Sequence, residues 1–307
     1  MSEPAAAGHA PEPTAGWAQK TVMLVVTVVP FVAVLAAVAL LWNLAVSWVD
    51  LALLVVLYML MGLGVTVGYH RMLTHRAFEA VAPLKAALLV LGSMSLQGSP
   101  INWAVDHRQH HAHSDKEGDP HSPHTGFGHG IGGQLRGLWH AHMGWLFVHP
   151  HAMDKKRLAR DLLEDRMVRF IDRTFILWAV LGFALPFLLG YAVTQSLWGG
   201  LTGLLWGGLV RLFFNHHVTW SVNSICHFFG RRPFAAYDHS TNNWMLAIPS
   251  LGEAWHHNHH VFPSSAFHGL GWRQVDISGW LIAIWEKLGL VHNVRRVTPD
   301  QIARKLT

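Results

Sequence analysis

The residues with the most chemistry in them are histidines, 24 in a chain of 307. They are clustered rather than scattered. Trp255-His256-His257-Asn258-His259-His260 packs four imidazoles into one short run, and His107-Arg108-Gln109-His110-His111 repeats its H-x-x-H-H spacing. A third cluster, His70-Arg71-Met72-Leu73-Thr74-His75, has the spacing H-x-x-x-x-H. Neutral imidazole is the commonest metal-binding side chain at physiological pH. On a helix, positions i, i+3 and i+4 share one face. Each H-x-x-H-H box therefore offers three ligands together. The three boxes supply eight imidazoles, too many for one ion and enough for two. A ninth comes from Asn223-Ser224-Ile225-Cys226-His227, where Asn223 and His227 stand at i and i+4.

Ligand type narrows the metal. Zinc prefers four ligands, often thiolates, and brings no redox chemistry. The single cysteine, Cys226, excludes a zinc finger and an intrachain disulfide, and reads as a small buried apolar residue. His-Glu-x-x-His is absent, so a zinc metalloprotease is excluded. A carboxylate-type di-iron site needs two Glu-x-x-His motifs and two further Glu. Only Glu253-Ala254-Trp255-His256 fits that pattern. Copper and nickel remain compatible with the donor type, while the number of imidazoles favours a pair of irons with open positions.

The elements that must hold these boxes are membrane helices. The chain is 51% apolar and 13% charged, with 15 Trp and 15 Phe, whereas soluble domains carry about 25% charge. Apolar runs at 22–42, 48–69, 173–191 and 197–218 are each long enough to cross a bilayer. The stretch 83–98 is shorter and suits an interfacial helix. Residues 1–19 read as a disordered tail with no cleaved signal peptide, 20–292 as the membrane domain, and 293–307 as a C-terminal tail. A helix carrying Lys155-Lys156-Arg157 and Arg160 is expected to run to about Arg169. The turns at 43–50 and 192–197 hold no Lys or Arg, whereas residues 70–173 hold thirteen. The positive-inside rule then places both termini and every box in the cytoplasm. The expectation is an all-α integral membrane protein in the cell membrane, with four transmembrane helices and a His-rich helical cytoplasmic cap holding a dimetal site. The net charge of +5 lies in loops of an apolar chain, which excludes a nucleic-acid binder. A metal transporter would carry ionisable ligands at mid-bilayer, and the middles of these spans read as free of them.

The combination of three boxes, Asn-x-x-x-His and four spans resembles the membrane fatty-acid desaturases, most nearly their stearoyl-CoA (acyl-CoA delta-9) branch. The resemblance covers about residues 22–292. It is carried by the segments 68–78, 103–111, 119–121, 222–230 and 252–263, which contain the boxes. It implies that His70, His75, His107, His110, His111, His227, His256, His259 and His260 ligate two iron ions, with Asn223 reaching iron through a water. It further implies an oxygen-dependent acyl-CoA desaturase that inserts a cis double bond at delta-9 in a saturated chain. The chain has no flavin, nicotinamide or haem-binding segment, so two electrons would come from a separate protein, a ferredoxin or a haem protein with its reductase. Acyl-lipid or acyl-carrier-protein substrates, or hydroxylation by the same metal pair, are the alternatives.

Around the ligands, Asp106, Glu253 and Asn258, together with Asp119 and Asp276, are expected to orient imidazole N–H groups. His257 departs from the resemblance as an extra histidine before Asn258, and is expected to be exposed or in support of the ligands. The Gly-rich stretch 122–139 is also longer than the family's usual link and reads as a plain surface loop, a flexible lid or a loop that docks the electron donor. His121, His124, His129, His140, His142, His149 and His151 read as solvated or capping groups. Trp139, Trp145 and the basic helix are candidate contacts for the electron donor. Along the second span Leu54, Tyr58, Gly62 and Thr66 share a face. Gly62 would leave room for an acyl chain and Tyr58 would stop it, with Trp103 a further substrate contact.

Overall fold

The computed structural model describes residues 15–43, 46–148 and 154–306. Most of the expected N-terminal tail, and His149 and His151, lie outside the described residues. Helix α1, Trp17–Asn43, contains Pro30. It begins at Trp17, so helix replaces the last three residues of the expected tail. Helix α2, Trp48–Leu63, starts from a capping box in which Ser47 and Asp50 bond each other's backbone N–H. It continues without a break as a π-helical segment, Gly64–Thr74. Helix α3, Ala82–Met94, packs on this second long helix. A Cβ on Gly64 would lie 2.2 Å from the backbone nitrogen of Gly92, so bare backbone at the crossing permits the contact.

Helix α4, Pro100–His113, carries the first H-x-x-H-H box. Helix α5, Gly130–Trp139, occupies much of the stretch expected to be loop. Its inner face is Gly133 and Gly137, where a Cβ would collide with the carbonyls of Gly128 and Pro123. A short π-helical turn, His140–Gly144, leads into α6, Trp145–Val148. The expected basic helix is three pieces: α7, Lys155–Leu158, α8, Arg160–Glu164, and α9, Arg166–Arg173. Asp154 caps the start of the run; it breaks first at Ala159, which has no side-chain cap, and again at Asp165, whose carboxylate caps a new helix start by accepting from the N–H groups of Met167 and Val168.

Helix α10, Phe175–Thr194, ends at Gln195 in the left-handed region. Helix α11, Leu197–Gly203, continues through a π-helical segment, Leu204–Val210, into α12, Arg211–Ser224, and a 3₁₀ turn, Ile225–His227. Beyond it come α13, Trp244–Ala247, α14, His256–Val261, α15, Ile277–Lys287, and α16, Pro299–Ala303. Strands β1, Glu79–Ala80, and β2, Val291–His292, form a small antiparallel pair. The C-terminal segment is tied to the cap, with the Ala235 N–H donating to Lys305 O and the Arg295 N–H to Ala77 O.

Among the described residues, four helices are long and apolar enough to cross a membrane: Trp17–Leu41, Trp48–Thr74, Phe175–Thr194 and Leu197–His227. The second and fourth, at 27 and 31 residues, outrun the roughly 20 that a bilayer core requires. They extend past the expected ends at 69 and 218, and the surplus carries His70 and His227 into the cap. The protein is thus an all-α membrane protein with a histidine-rich cap.

One expectation about the spans fails. Arg211 lies inside the fourth long helix, wholly buried. Its guanidinium donates to Gly207 O at 3.1 Å, to Gly182 O at 2.9 Å and to Met94 O at 3.4 Å, joining three helices. Carbonyl partners make a buried cation tolerable. Arg211→Met leaves those carbonyls without a donor. It is expected to cost about 1–3 kcal/mol, read as a lower thermal unfolding midpoint in detergent, and an unchanged midpoint would remove Arg211 from the stabilising set.

Candidate metal centre

Nine imidazoles converge at the cap ends of the second and fourth long helices, in two groups. His70, His75, His107, His111 and His259 form one, and His110, His227, His256 and His260 the other. Within each group the candidate ligand atoms lie within 4.8 Å of one another. Each H-x-x-H-H box is divided between the groups. From α4, His107 and His111 enter the first group and His110 the second. From α14, His259 enters the first, and His256 and His260 the second.

The H-x-x-x-x-H box needs a different helix. In an α-helix, residues five apart point about 140° away from each other at 100° per residue. A π-helix bonds i to i+5. The His75 N–H donates to His70 O at 3.1 Å, and the Thr74 hydroxyl to Tyr69 O at 2.7 Å, one turn of five each. The π-helical geometry thereby brings the His70 and His75 rings to 4.8 Å, edge to face.

Four carboxylates hold Nδ1 of four imidazoles. Glu253 bonds His70, Asp119 bonds His110 at 2.9 Å, Asp115 bonds His227 at 2.9 Å and Asp238 bonds His260 at 2.6 Å. A carboxylate only accepts, so Nδ1 of each of these rings carries a proton and Nε2 is the nitrogen left to meet a metal. Those Nε2 atoms face other imidazole nitrogens at close range. His70 and His259 lie 3.1 Å apart, His227 and His256 3.0 Å, and His110 and His260 3.3 Å; two rings without a carboxylate, His111 and His259, also face each other at 2.9 Å. Burial, aided by the neighbouring imidazoles, holds His75, His107, His111, His256, His259 and His260 well below the usual imidazole range, hence neutral. Burial alone would raise the Asp115 and Asp119 carboxyls. The adjoining His227 and His110 outweigh it, and both carboxyls end well below their usual range. Facing lone pairs in neutral rings repel unless cations sit between them. The donor set therefore fits two ions of the imidazole-loving kind.

Among the expected supports, Glu253 and Asp119 orient imidazoles. Asp276 does not: it takes two bonds from the Arg71 guanidinium, at 2.8 and 3.0 Å, and the N–H groups of His268, Gly269 and Gly279. Asn258 bonds Asn242, Gln274 and His268 O rather than an imidazole, fixing the backbone around α14. Asp106 is buried beside His107 in the wall of a cavity. His257 is fully buried rather than exposed. Its Nε2 lies 3.0 Å from Phe234 O and its Nδ1 3.2 Å from Ser240 Oγ, so it braces the loop behind α14. His121 is also buried, its ring 4.3 Å from that of His110. Trp145 is buried, which removes it from the donor-facing surface, while Trp139 is exposed.

The sequence reading misses Asp115, Asp238, Arg71 and His268. Arg71 is wholly buried and bonds Glu253 at 3.0 Å as well as Asp276, so it positions the carboxylate that orients His70. His268 is a tenth histidine at the site, its Nδ1 3.5 Å from Glu253 and its ring 4.4 Å from that of His259. Only its place five residues past the Pro263 end of the last box hints at it.

Two cavities meet at the imidazole groups. The first, with about 600 Å³ of free space, runs between the second and fourth long helices. Tyr58, Gly62, Val65 and Thr66 line one side, Asn215, Val218 and Val222 the other, and His70, His107 and His256 the cap end. The second, about 820 Å³, lies toward α1 and α6 and includes Met23, Val26, Asn102, Asp106, Trp145 and Trp220. Gln97, Trp103, His107, Thr219 and Asn223 belong to both walls. Trp103 stacks on His107 at 5.0 Å at this junction.

Fold and site together define a membrane protein with two buried imidazole clusters that could hold metal, beside an apolar cavity. Residues 46–272 match the fatty acid desaturase family model. The chain is 43% identical over 283 residues to the hex-5-enoyl-[acyl-carrier protein] acetylenase of Moorena producens (strain JHB), covering 92% of this chain and 88% of that one. It is 39% identical over 258 residues to the sn-1 stearoyl-lipid 9-desaturase of Anabaena variabilis, covering 83% and 87%. To the acyl-CoA C20 Delta5-desaturase of Anemone leveillei it is 35% identical over 263 residues, covering 84% and 77%. The chain belongs to the fatty acid desaturase family, oxidoreductases of lipid metabolism that use iron.

Asp119→Asn preserves shape and removes the charge that fixes the His110 tautomer. It is expected to weaken metal retention about 10–100-fold, measured as iron content after dialysis against graded chelator. Retention equal to wild type would show that the carboxylate does not tune the site.

Proposed function

We propose that the protein is an iron-dependent fatty acyl desaturase that inserts a cis double bond at delta-9 into a saturated acyl-CoA. It uses dioxygen and two electrons from a separate electron-transfer protein. The observation that carries this reading is that His70, His107 and His256, drawn from both imidazole groups, stand in the wall of one apolar cavity. CoA as the carrier rests on the resemblance of the box segments to the acyl-CoA branch. The relatives' names include a lipid and a carrier protein as well, with the acyl chain as the common part. The charge asymmetry of the loops supports a cytoplasmic position for the cap and both termini.

The nine histidines would hold two irons, which with dioxygen supply the oxidising power to remove hydrogen from unactivated methylenes, a task beyond any side-chain acid or base. The balance is one O₂, two electrons and two protons consumed, two hydrogens lost from adjacent carbons and two waters formed. The chain's own residues place the substrate. The second cavity takes the carboxyl side and the first the methyl side. Trp103 and His107 at their junction force the acyl chain to bend where it passes the imidazoles. Neutral rings leave the site with little charge to attract bulk water. Asn223, half-buried at the same junction, stands where its amide can hold a water on a ligand position.

Tyr58 closes the first cavity, its hydroxyl donating to Pro249 O at 2.5 Å, while Gly62 leaves the wall open above it.

The deciding measurement is product analysis of membranes that contain the protein and a reductase system. Loss of two hydrogens is expected, and a gain of one oxygen would identify a hydroxylase instead. His107→Ala and His256→Ala should abolish turnover. Asn223→Ala should reduce turnover sharply at unchanged protein yield, whereas His257→Ala should lower yield more than turnover per folded molecule. The opposite ranking would mean that the last box is read in the wrong register. Tyr58→Ala should shift preference toward longer chains with the double bond at the same distance from the carboxyl end. An unchanged profile would rule out Tyr58 as the stop.

A further inference from the structure

The segment from Ser240 to Gly252 carries no charged side chain. It includes α13, on which Trp244 and Met245 are 75% and 69% exposed, and Ile248, at 62%, continues the same face. An exposed apolar face of this kind normally has a partner. Its neighbours fix its depth. Pro249 O accepts the hydroxyl of Tyr58, ten residues into the second long helix, and the Leu251 side chain lies against Gly62, four residues further on. At 1.5 Å per residue these contacts fall about 15 and 21 Å from Trp48, well inside a hydrocarbon core of about 30 Å. The segment follows the fourth long helix in sequence but sits back down beside the second.

Irregular backbone at that depth survives only where its polar groups are paired, and here they are. Pro249 has no N–H to satisfy. The Leu251 carbonyl accepts from Ser278 N at 3.0 Å. The Gly252 N–H donates to Ala247 O at 2.8 Å, and Ser250 Oγ accepts from Ala254 N at 3.0 Å. Asn243 caps α13 by accepting from the N–H groups of Met245 and Leu246. Meanwhile Pro249, Ser250 and Leu251 face inward and line the first cavity.

We infer that residues 244–251 form a re-entrant segment immersed in the bilayer, with Trp244, Met245 and Ile248 on lipid hydrocarbon and Pro249 to Leu251 as the side wall of the cavity. The occupant of the exposed face is lipid because the contacts of Pro249 and Leu251 with Tyr58 and Gly62 set the segment at bilayer depth beside the second long helix, and because the face carries no charge for a water-soluble partner. That the cavity behind the wall takes an acyl chain rests on the function proposed above, whereas the membrane position does not. A single layer of chain then separates the acyl cavity from the lipid, latched to the second long helix by the Tyr58 hydroxyl.

The test is cysteine accessibility in lipid nanodiscs that hold one copy of the chain each, so that a second copy cannot shield the face. Wild type is the blank, because Cys226 is buried. Met245→Cys and Ile248→Cys are compared with Tyr237→Cys, at a cap position 98% exposed, and Val55→Cys, at a position 58% exposed on the second long helix. All four positions are exposed, so none of the changes disturbs packing. A membrane-impermeant maleimide should modify Met245→Cys and Ile248→Cys about tenfold or more slower than Tyr237→Cys and close to the rate of Val55→Cys, because a thiol in apolar surroundings resists ionisation. Rates equal to that of Tyr237→Cys would place the segment in water and overturn the proposal. Labelling reads no turnover, so its outcome is separate from that of the substrate assignment.

Discussion

The arrangement depends on one electrostatic constraint: imidazole nitrogens are made to face imidazole nitrogens with their lone pairs inward. Left alone, an imidazole turns either nitrogen to whatever donor is at hand. Glu253, Asp119, Asp115 and Asp238 remove that freedom by claiming Nδ1–H, and burial keeps the surrounding rings uncharged. What remains is a pair of sites with strong donors and little net charge of their own. Negative charge sits one bond further out, on the carboxylates, where it would make the rings better donors to a metal without taking up ligand positions.

Holding that constraint explains much of the scaffold. The carboxylates must themselves be fixed, and the buried Arg71 fixes Glu253 and Asp276 together. Breaking such a buried ionic group by removing one member is costly, about 3–5 kcal/mol, so the end of the second long helix and the α15 start are locked to each other. Arg108 does the same for α4. It donates to Leu73 O and Thr74 O at the end of the second long helix and to Asp161 of α8. The box residues that are not histidines thus hold the boxes in place.

The histidines were legible in the sequence because their chemistry lies in their spacing, and the spans because a bilayer demands long apolar runs. Their partners were legible in part: Glu253 and Asp119 were expected, whereas Asp115, Asp238 and Arg71 were not. Asp115 serves His227, 112 residues away, and no local pattern announces such a pair. Arg71 reads as filler inside a box, and Arg211 is hidden in an apolar run that averages away one cation. Glycine misled in the stretch 122–139, where Gly133 and Gly137 signal loop by propensity but serve here as the contact face of α5. An aspartate misled in the basic run, where Asp165 looks like an ordinary surface charge but ends one helix and begins the next.

The π-helical end of the second long helix makes chain length and helix type interdependent there. His70 and His75 share a site because the hydrogen-bonded loop of the π-helix closes from one to the other, five residues on. Substitution of the four residues between them leaves that count alone. Removal of one codon does not: the pair would meet again only if the stretch tightened to α-helical spacing, which turns everything beyond it by about 100°. In genetic terms the box accepts changes of letter far more readily than changes of length. The two H-x-x-H-H boxes, built on ordinary α-helix, obey the same restriction with a different number.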